Sequence, residues 1–125
     1  MARVMGIGGI FIRVRDPEAM KRWYAEHLGI VDRPGVGAMF RRSDDPDPNG
    51  VTLFSIFDAD DDYWDRAQPV MINFRVEGLD ELLAKLRAEG VTVLQKTDNH
   101  EYGRFGWVVD PEGNRIELWE PPAPR

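Results

Sequence analysis

Asp110-Pro111-Glu112-Gly113-Asn114-Arg115-Ile116-Glu117-Leu118 decides the fold, because an earlier part of the chain answers it. Asp47-Pro48-Asn49-Gly50 stands 63 positions before Asp110-Pro111-Glu112-Gly113. Asp at the first place and Gly at the fourth is turn chemistry. Each turn precedes a short strand-type run, residues 52–57 and 115–119. Further upstream, Ile10-Phe11-Ile12-Arg13-Val14-Arg15-Asp16 resembles Ile72-Asn73-Phe74-Arg75-Val76-Glu77-Gly78, 62 positions on. Two matches in the same order at nearly one offset mark an internal repeat.

Both upstream segments run into an amphipathic helix. Met20, Trp23, Tyr24, His27 and Leu28 recur at three- and four-residue spacing in the first, and Leu79, Leu82, Leu83 and Leu86 in the second. Asp16-Pro17 is an N-cap with a first-turn proline, while Gly29 and Gly90 are natural stops. Each half therefore reads as strand, helix, then three strands, with one sheet face under the helix. The first module covers residues 4–57 and the second 69–120, within one domain of residues 1–125. A tail follows at 121–125. Residues 58–68 form an acidic connector whose Tyr63 and Trp64 are expected to dock on a neighbouring surface. Its aspartates lack the spacing and final Glu of a calcium loop.

The 125 residues make one domain's worth of chain, 42% hydrophobic and 30% charged, the composition of a compact globular protein. Sixteen basic against twenty-two acidic side chains give a net charge of −6, which disfavours nucleic acid and anionic membrane surfaces as partners. With no Cys, disulfides, thiolate metal sites and cysteine nucleophiles are excluded. The expected location is cytoplasmic. The apolar run Val4 to Ile12 is nine residues long and holds three glycines, followed at once by Arg13 and Arg15. It reads as a buried strand rather than a membrane span or signal peptide. Gly6-x-Gly8-Gly9 is no dinucleotide fingerprint, since Phe11 holds the third glycine position. The only serines, Ser43 and Ser55, sit in no nucleophile elbow.

Alternation along the strands separates two faces. Ile10, Ile12 and Val14 lie under the first helix, and Ile72, Phe74 and Val76 under the second. Phe11 and Arg13, like Met71, Asn73 and Arg75, point the other way. On the closing strands Thr52, Phe54 and Ile56 match Arg115, Glu117 and Trp119. A concave non-helix face would then be lined by Phe11, Phe54, Phe105, Trp107 and Trp119, with Arg13, Met71, Asn73, Arg75 and Glu117 among them. Aromatics with a few polar groups suit a small-molecule pocket. They equally suit a packed barrel in which Glu117 pairs with an arginine.

The doubled unit, closed by Asp110 to Leu118, resembles the vicinal oxygen chelate superfamily of glyoxalase I, bleomycin-resistance proteins and extradiol dioxygenases. Arg13-Val14-Arg15-Asp16-Pro17 with Trp23-Tyr24 and Leu28-Gly29 is similar to the first-module signature. Ile72-Asn73-Phe74-Arg75-Val76 with Leu79-Asp80 is similar to the second. The resemblance implies an α+β fold in which two βαβββ modules form a cupped eight-stranded mixed sheet, and a homodimer. It also implies metal-ligand positions at Gly9, Phe54, Met71 and Glu117. Of these, only Glu117 suits a hard or borderline divalent cation. His27 is expected to pack against the sheet. A set of His100, Glu101 and Glu117 is the remaining way to build a metal site.

The expected function is therefore binding of a small, partly apolar organic ligand without a metal cofactor, with an anionic or carbonyl oxygen facing Arg13 and Arg75. The alternative is a metal-dependent lyase, isomerase or dioxygenase of the glyoxalase I type. In either case Glu117 is the candidate catalytic residue, as general base or ligand. A raised carboxyl pKa would favour catalysis, whereas an arginine beside it would favour binding.

Overall fold

The structure is a computed structural model describing residues 10–35, 37–47 and 50–123. Helix α1 spans Pro17–Leu28, and helix α2 spans Leu79–Ala88. The strands are β1 (Ile72–Arg75), β2 (Thr92–Val93), β3 (Asp98–His100), β4 (Gly103–Val109) and β5 (Arg115–Glu120). They form one sheet in the order β1-β5-β4-β2, with β3 also paired to β4. The β1–β5 pair is parallel and the other pairs are antiparallel. This is a mixed sheet with helices on one side, an α+β fold.

Strands β2 and β3 are two pieces of one strand. Thr92 faces Val109 and Val93 faces Val108, but Asp98 faces Phe105 and His100 faces Gly103. The register slips by two residues between the pieces, the signature of a bulge over the intervening 94–97 segment. The second half is thus the strand, helix and three strands that its sequence predicts.

Its core lies between α2 and the helix-side face of the sheet. Leu79, Leu83 and Leu86 meet Val108, Ile116 and Leu118, all essentially inaccessible to water. Each leucine so buried contributes roughly 1.5–3 kcal/mol. Gly106 admits the helix closely, since a Cβ there would come within 2.9 Å of a Leu83 methyl. Glu120 at the end of β5 accepts from the backbone N–H groups of Gly78 and Leu79, satisfying orphan donors where α2 begins.

Helix α1 is capped by the Asp16 side chain at the Ala19 N–H and ends at Gly29, whose φ of 69° suits glycine. It buries Met20 and lays Trp23, Tyr24 and Leu28 against the core of the second half. The Asp110 turn holds it there. Asp110, itself buried, accepts from the Tyr24 hydroxyl at 3.0 Å and from the Asn114 amide. Burial first, and then the Asp110 carboxylate, push the Tyr24 phenol well above its usual range. Glu112 accepts from the backbone N–H groups of Arg15 and Asp16 just before the helix. His27 meets Glu89 at the end of α2, 3.1 Å away, so it packs between helix ends.

The first half departs from its sequence pattern. The expected strand at Val4 to Ile12 lies mostly outside the described residues. Of the rest, residues 10–14 and 50–57 form no helix or strand and join no ladder. Among the described residues the sheet has five strands, not eight. Ile10 and Ile12, expected under the helix, are largely exposed.

Candidate functional site

Strand register builds the site in two rows across the non-helix face. In one row Asn73 of β1, Glu117 of β5 and Trp107 of β4 stand side by side, and in the next stand Arg75, Trp119, Phe105 and Asp98. Glu117 is the centre of the first row and only 7% exposed. Its Oε1 accepts from the Asn73 amide at 2.7 Å. Its Oε2 accepts from the Trp107 indole at 2.9 Å and the Tyr63 hydroxyl at 2.6 Å. Burial, followed by the hydrogen bond to Glu117, raises the Tyr63 phenol pKa, because ionisation would place a second anion against the carboxylate.

The connector supplies the outer wall. Asx turns at Asp58, Asp61 and Asp65 shape it, each carboxylate accepting from a backbone N–H two residues on. Trp64 donates to the Gln68 carbonyl, and the Gln68 amide bridges to the Arg115 backbone. This fixes Tyr63 stacked on Phe57, centroids 5.8 Å apart, and edge-on to Trp107 at 6.1 Å. The opposite wall is the hairpin of β3 and β4. There His100 stacks on Tyr102 at 4.9 Å, and Phe105 packs edge-on against both and lies parallel to Trp119. Between the walls is a cavity of about 310 Å³, lined by Phe57, Tyr63, Asp98, His100, Tyr102, Phe105 and Glu117.

Of the residues expected to bind a ligand, Phe105 and Glu117 line this cavity, joined by Tyr63 and His100, which the sequence singled out for other roles. Asn73, Trp107 and Trp119 support it from the same rows, and Met71 is half-buried just before β1. Arg75 lies on the expected face but is engaged by Asp45, whose carboxyl the guanidinium holds below the usual range. Arg13 is exposed, as are Phe11 at 99% and Phe54 at 81%; the structure does not bring them to the cavity. No arginine forms an ion pair with Glu117 among the described residues. Phe57, Asp98 and Tyr102 were not anticipated, and Tyr63 and His100 were expected only as a docked connector aromatic and a candidate metal ligand. Phe57 lies on the opposite strand parity to Phe54, and Asp98 carries no motif.

The positions that a family metal would use do not fit a divalent cation. Gly9 and Phe54 have no donor side chain, Met71 offers only a soft thioether, and both Glu117 oxygens already accept from protein donors. Among the described residues, no three carboxylate or imidazole side chains converge to hold a metal ion. His100 and Glu101 therefore do not complete a set with Glu117.

The family model of the Glyoxalase/Bleomycin resistance protein/Dioxygenase superfamily matches residues 6–118, and the chain belongs to that superfamily. Among solved structures, it is 26% identical to TnmS3, an antibiotic-binding protein from Streptomyces sp. CB03234. That match covers 95% of this chain and 100% of the other, at a TM-score of 0.57. A glyoxalase-related enzyme from Fulvimarina pelagi shares the fold at 18% identity and TM-score 0.57, over 94% of this chain and 88% of that one. The chain spans 46% of an NAD-dependent benzaldehyde dehydrogenase from Legionella pneumophila, a 40% overlap of this chain with 21% identity and TM-score 0.36. No curated protein matches the sequence.

Proposed function

We propose that the chain binds a small, planar, partly apolar organic molecule in the cavity between the Phe57–Tyr63 wall and the His100–Tyr102–Phe105 wall, without a divalent metal. The observation that carries this reading is the pair of aromatic walls facing one cavity above a buried, hydrogen-bonded carboxylate. Ring faces accept flat ligands by stacking, and the polar floor orients them. The antibiotic-binding relative at 26% identity supports a binding role. Glu117 is a positioning residue in this reading, because both its oxygens are engaged by neighbours rather than free to take a substrate proton.

A homodimer and a cytoplasmic location belong to the same proposal. The second sheet edge of β1 is unpaired among the described residues, and the strand-type segments 10–14 and 50–57 expose Phe11, Phe54 and Ile56. Open edges and exposed apolar side chains favour association with a second copy. The cysteine-free sequence supports the location.

Titration with acridine, read by tryptophan quenching and by calorimetry in the presence of EDTA, tests the ligand reading. Saturable binding unaffected by EDTA is expected, weakened roughly fivefold to tenfold in Phe105→Ala by the loss of one stacking face. Close to one divalent metal per purified chain, lost in Glu117→Ala, would overturn it in favour of a metal-dependent enzyme of the glyoxalase I or dioxygenase type.

A further inference from the structure

Glu117 is a buried carboxylate that no cation contacts directly among the described residues. Its three partners, a phenol, an amide and an indole, are all neutral, and it forms no ion pair among the described residues. Convergent donors suit a carboxylate anion, but they disperse its charge without cancelling it. Buried charges ordinarily carry a partner of opposite sign, since an unpaired one is costly. Two cations lie against the Trp107 ring, and neither is paired with Glu117. Among the described residues the Arg115 guanidinium forms no ion pair and leaves its buried Nε without a partner, and Lys96 turns to Asp98. Arg115 lies 5.2 Å from the ring centroid and donates to the Tyr63 carbonyl. Lys96, 5.9 Å from the same ring, pairs with Asp98 at 3.6 Å and is itself 68% exposed.

The cavity lining itself is acidic, although Asp98 is met from outside it by the exposed Lys96. Its carboxylates are Glu117 and Asp98, and it includes no Lys or Arg. The remaining wall is four aromatic side chains and His100, and the faces of such rings carry partial negative charge. Aromatic side chains around an acidic floor are the arrangement that holds ammonium and other soft cations.

We propose that the ligand of this cavity is cationic: a planar aromatic molecule whose protonated or quaternary nitrogen enters between the rings and supplies the direct ion pair that Glu117 lacks among the described residues. This rests on the binding reading above and gives it a sign. It reverses the sign expected from Arg13 and Arg75, neither of which lines the cavity. The protein's net charge of −6 favours approach of such a ligand as well.

Three flat probes of one shape test it: 9-aminoacridine as the cation, acridine as the neutral form and acridine-9-carboxylate as the anion, titrated near neutral pH at low and high salt. The cation should bind at least about tenfold more tightly than the anion, and the ratio should shrink with added salt. Glu117→Gln keeps the side-chain shape and should bring the two affinities within about threefold. Asp98→Asn, further from the buried network, should narrow the ratio by a smaller factor and guards against a Glu117 variant that misfolds. Equal affinity for cation and anion, or a ratio unmoved by both variants, overturns the cationic assignment while leaving the binding reading intact. Failure of all three probes to bind overturns both.

Discussion

The two halves of the chain carry the same pattern and meet different fates. Residues 72–120 fold into five strands and a helix around a dry core, whereas residues 10–57 supply a helix, a short 3-10 turn and irregular chain that exposes many of its apolar residues. Alternation is a property of one strand, but a strand is stable only when its ladder is paired. In the second half β5 provides that ladder on both sides, to β1 and to β4. In the first half the helix finds a partner in the other module, through Tyr24, His27 and the Glu112 clasp, and the strand-type segments do not.

The comparison breaks most sharply in the core. Leu83→Ala should cost about 2–5 kcal/mol in urea unfolding, because the space under α2 cannot close over Gly106 and Leu118. Phe54→Ser, at a side chain 81% exposed, should change monomer stability by no more than about 0.5 kcal/mol. Its effect should fall instead on association, seen as a shift toward the monomer in sedimentation. If dilute monomer loses as much stability from Phe54→Ser as from Leu83→Ala, the first half has a buried core of its own.

The contrast also shows what a sequence can reveal about a site. Asn73, Trp107, Glu117 and Trp119 were legible because parity and turn position are local, and register then sets them in rows. The partners that complete the site were legible only in part: docking of Tyr63 was expected, but not the surface it would meet. Whether the connector folds back over β5 depends on the Asx turns at Asp58, Asp61 and Asp65 and on the Gln68 bridge, none of which shows in hydropathy. Parity placed Arg75 on the correct face and could not say that Asp45, 30 residues upstream, would claim it. The expected anionic ligand depended on that free arginine.

The joint between the halves responds to acid. The backbone N–H groups of Arg15, and then Asp16, hold the Glu112 carboxyl below its ordinary value of 4.5. A depressed folded-state value means that the clasp stabilises the protein fully above the unfolded value. That contribution fades as pH falls below 4.5 and is gone once pH passes beneath the folded value. Glu112→Gln should therefore unfold at lower urea than the parent at neutral pH, with the gap closing on acidification through that window. A gap that stays constant from neutral to strongly acidic pH would show that the carboxylate charge plays no part in docking α1.

The gentlest perturbation separates the connector from the sheet. Tyr63→Phe removes only the hydroxyl that meets Glu117, leaving the ring on Phe57 and the Asn73 and Trp107 donors in place. Loss of one hydrogen bond to a charged acceptor costs about 1.5–3 kcal/mol, and less where solvent can replace it, as at this half-buried ring. The larger signal should come at high pH. In the parent, burial and then Glu117 hold the Tyr63 phenol above its ordinary 10.0, so its neutral form is favoured by folding. That contribution is fully present below 10.0 and is lost as pH climbs through the raised folded value. The parent should accordingly lose stability relative to Tyr63→Phe in alkaline solution, and spectrophotometric titration should show a late-ionising phenol that the variant lacks. An ordinary titration of Tyr63, with variant and parent falling together above 10.0, would mean that the connector does not rest on Glu117, and the outer wall of the cavity would go with it.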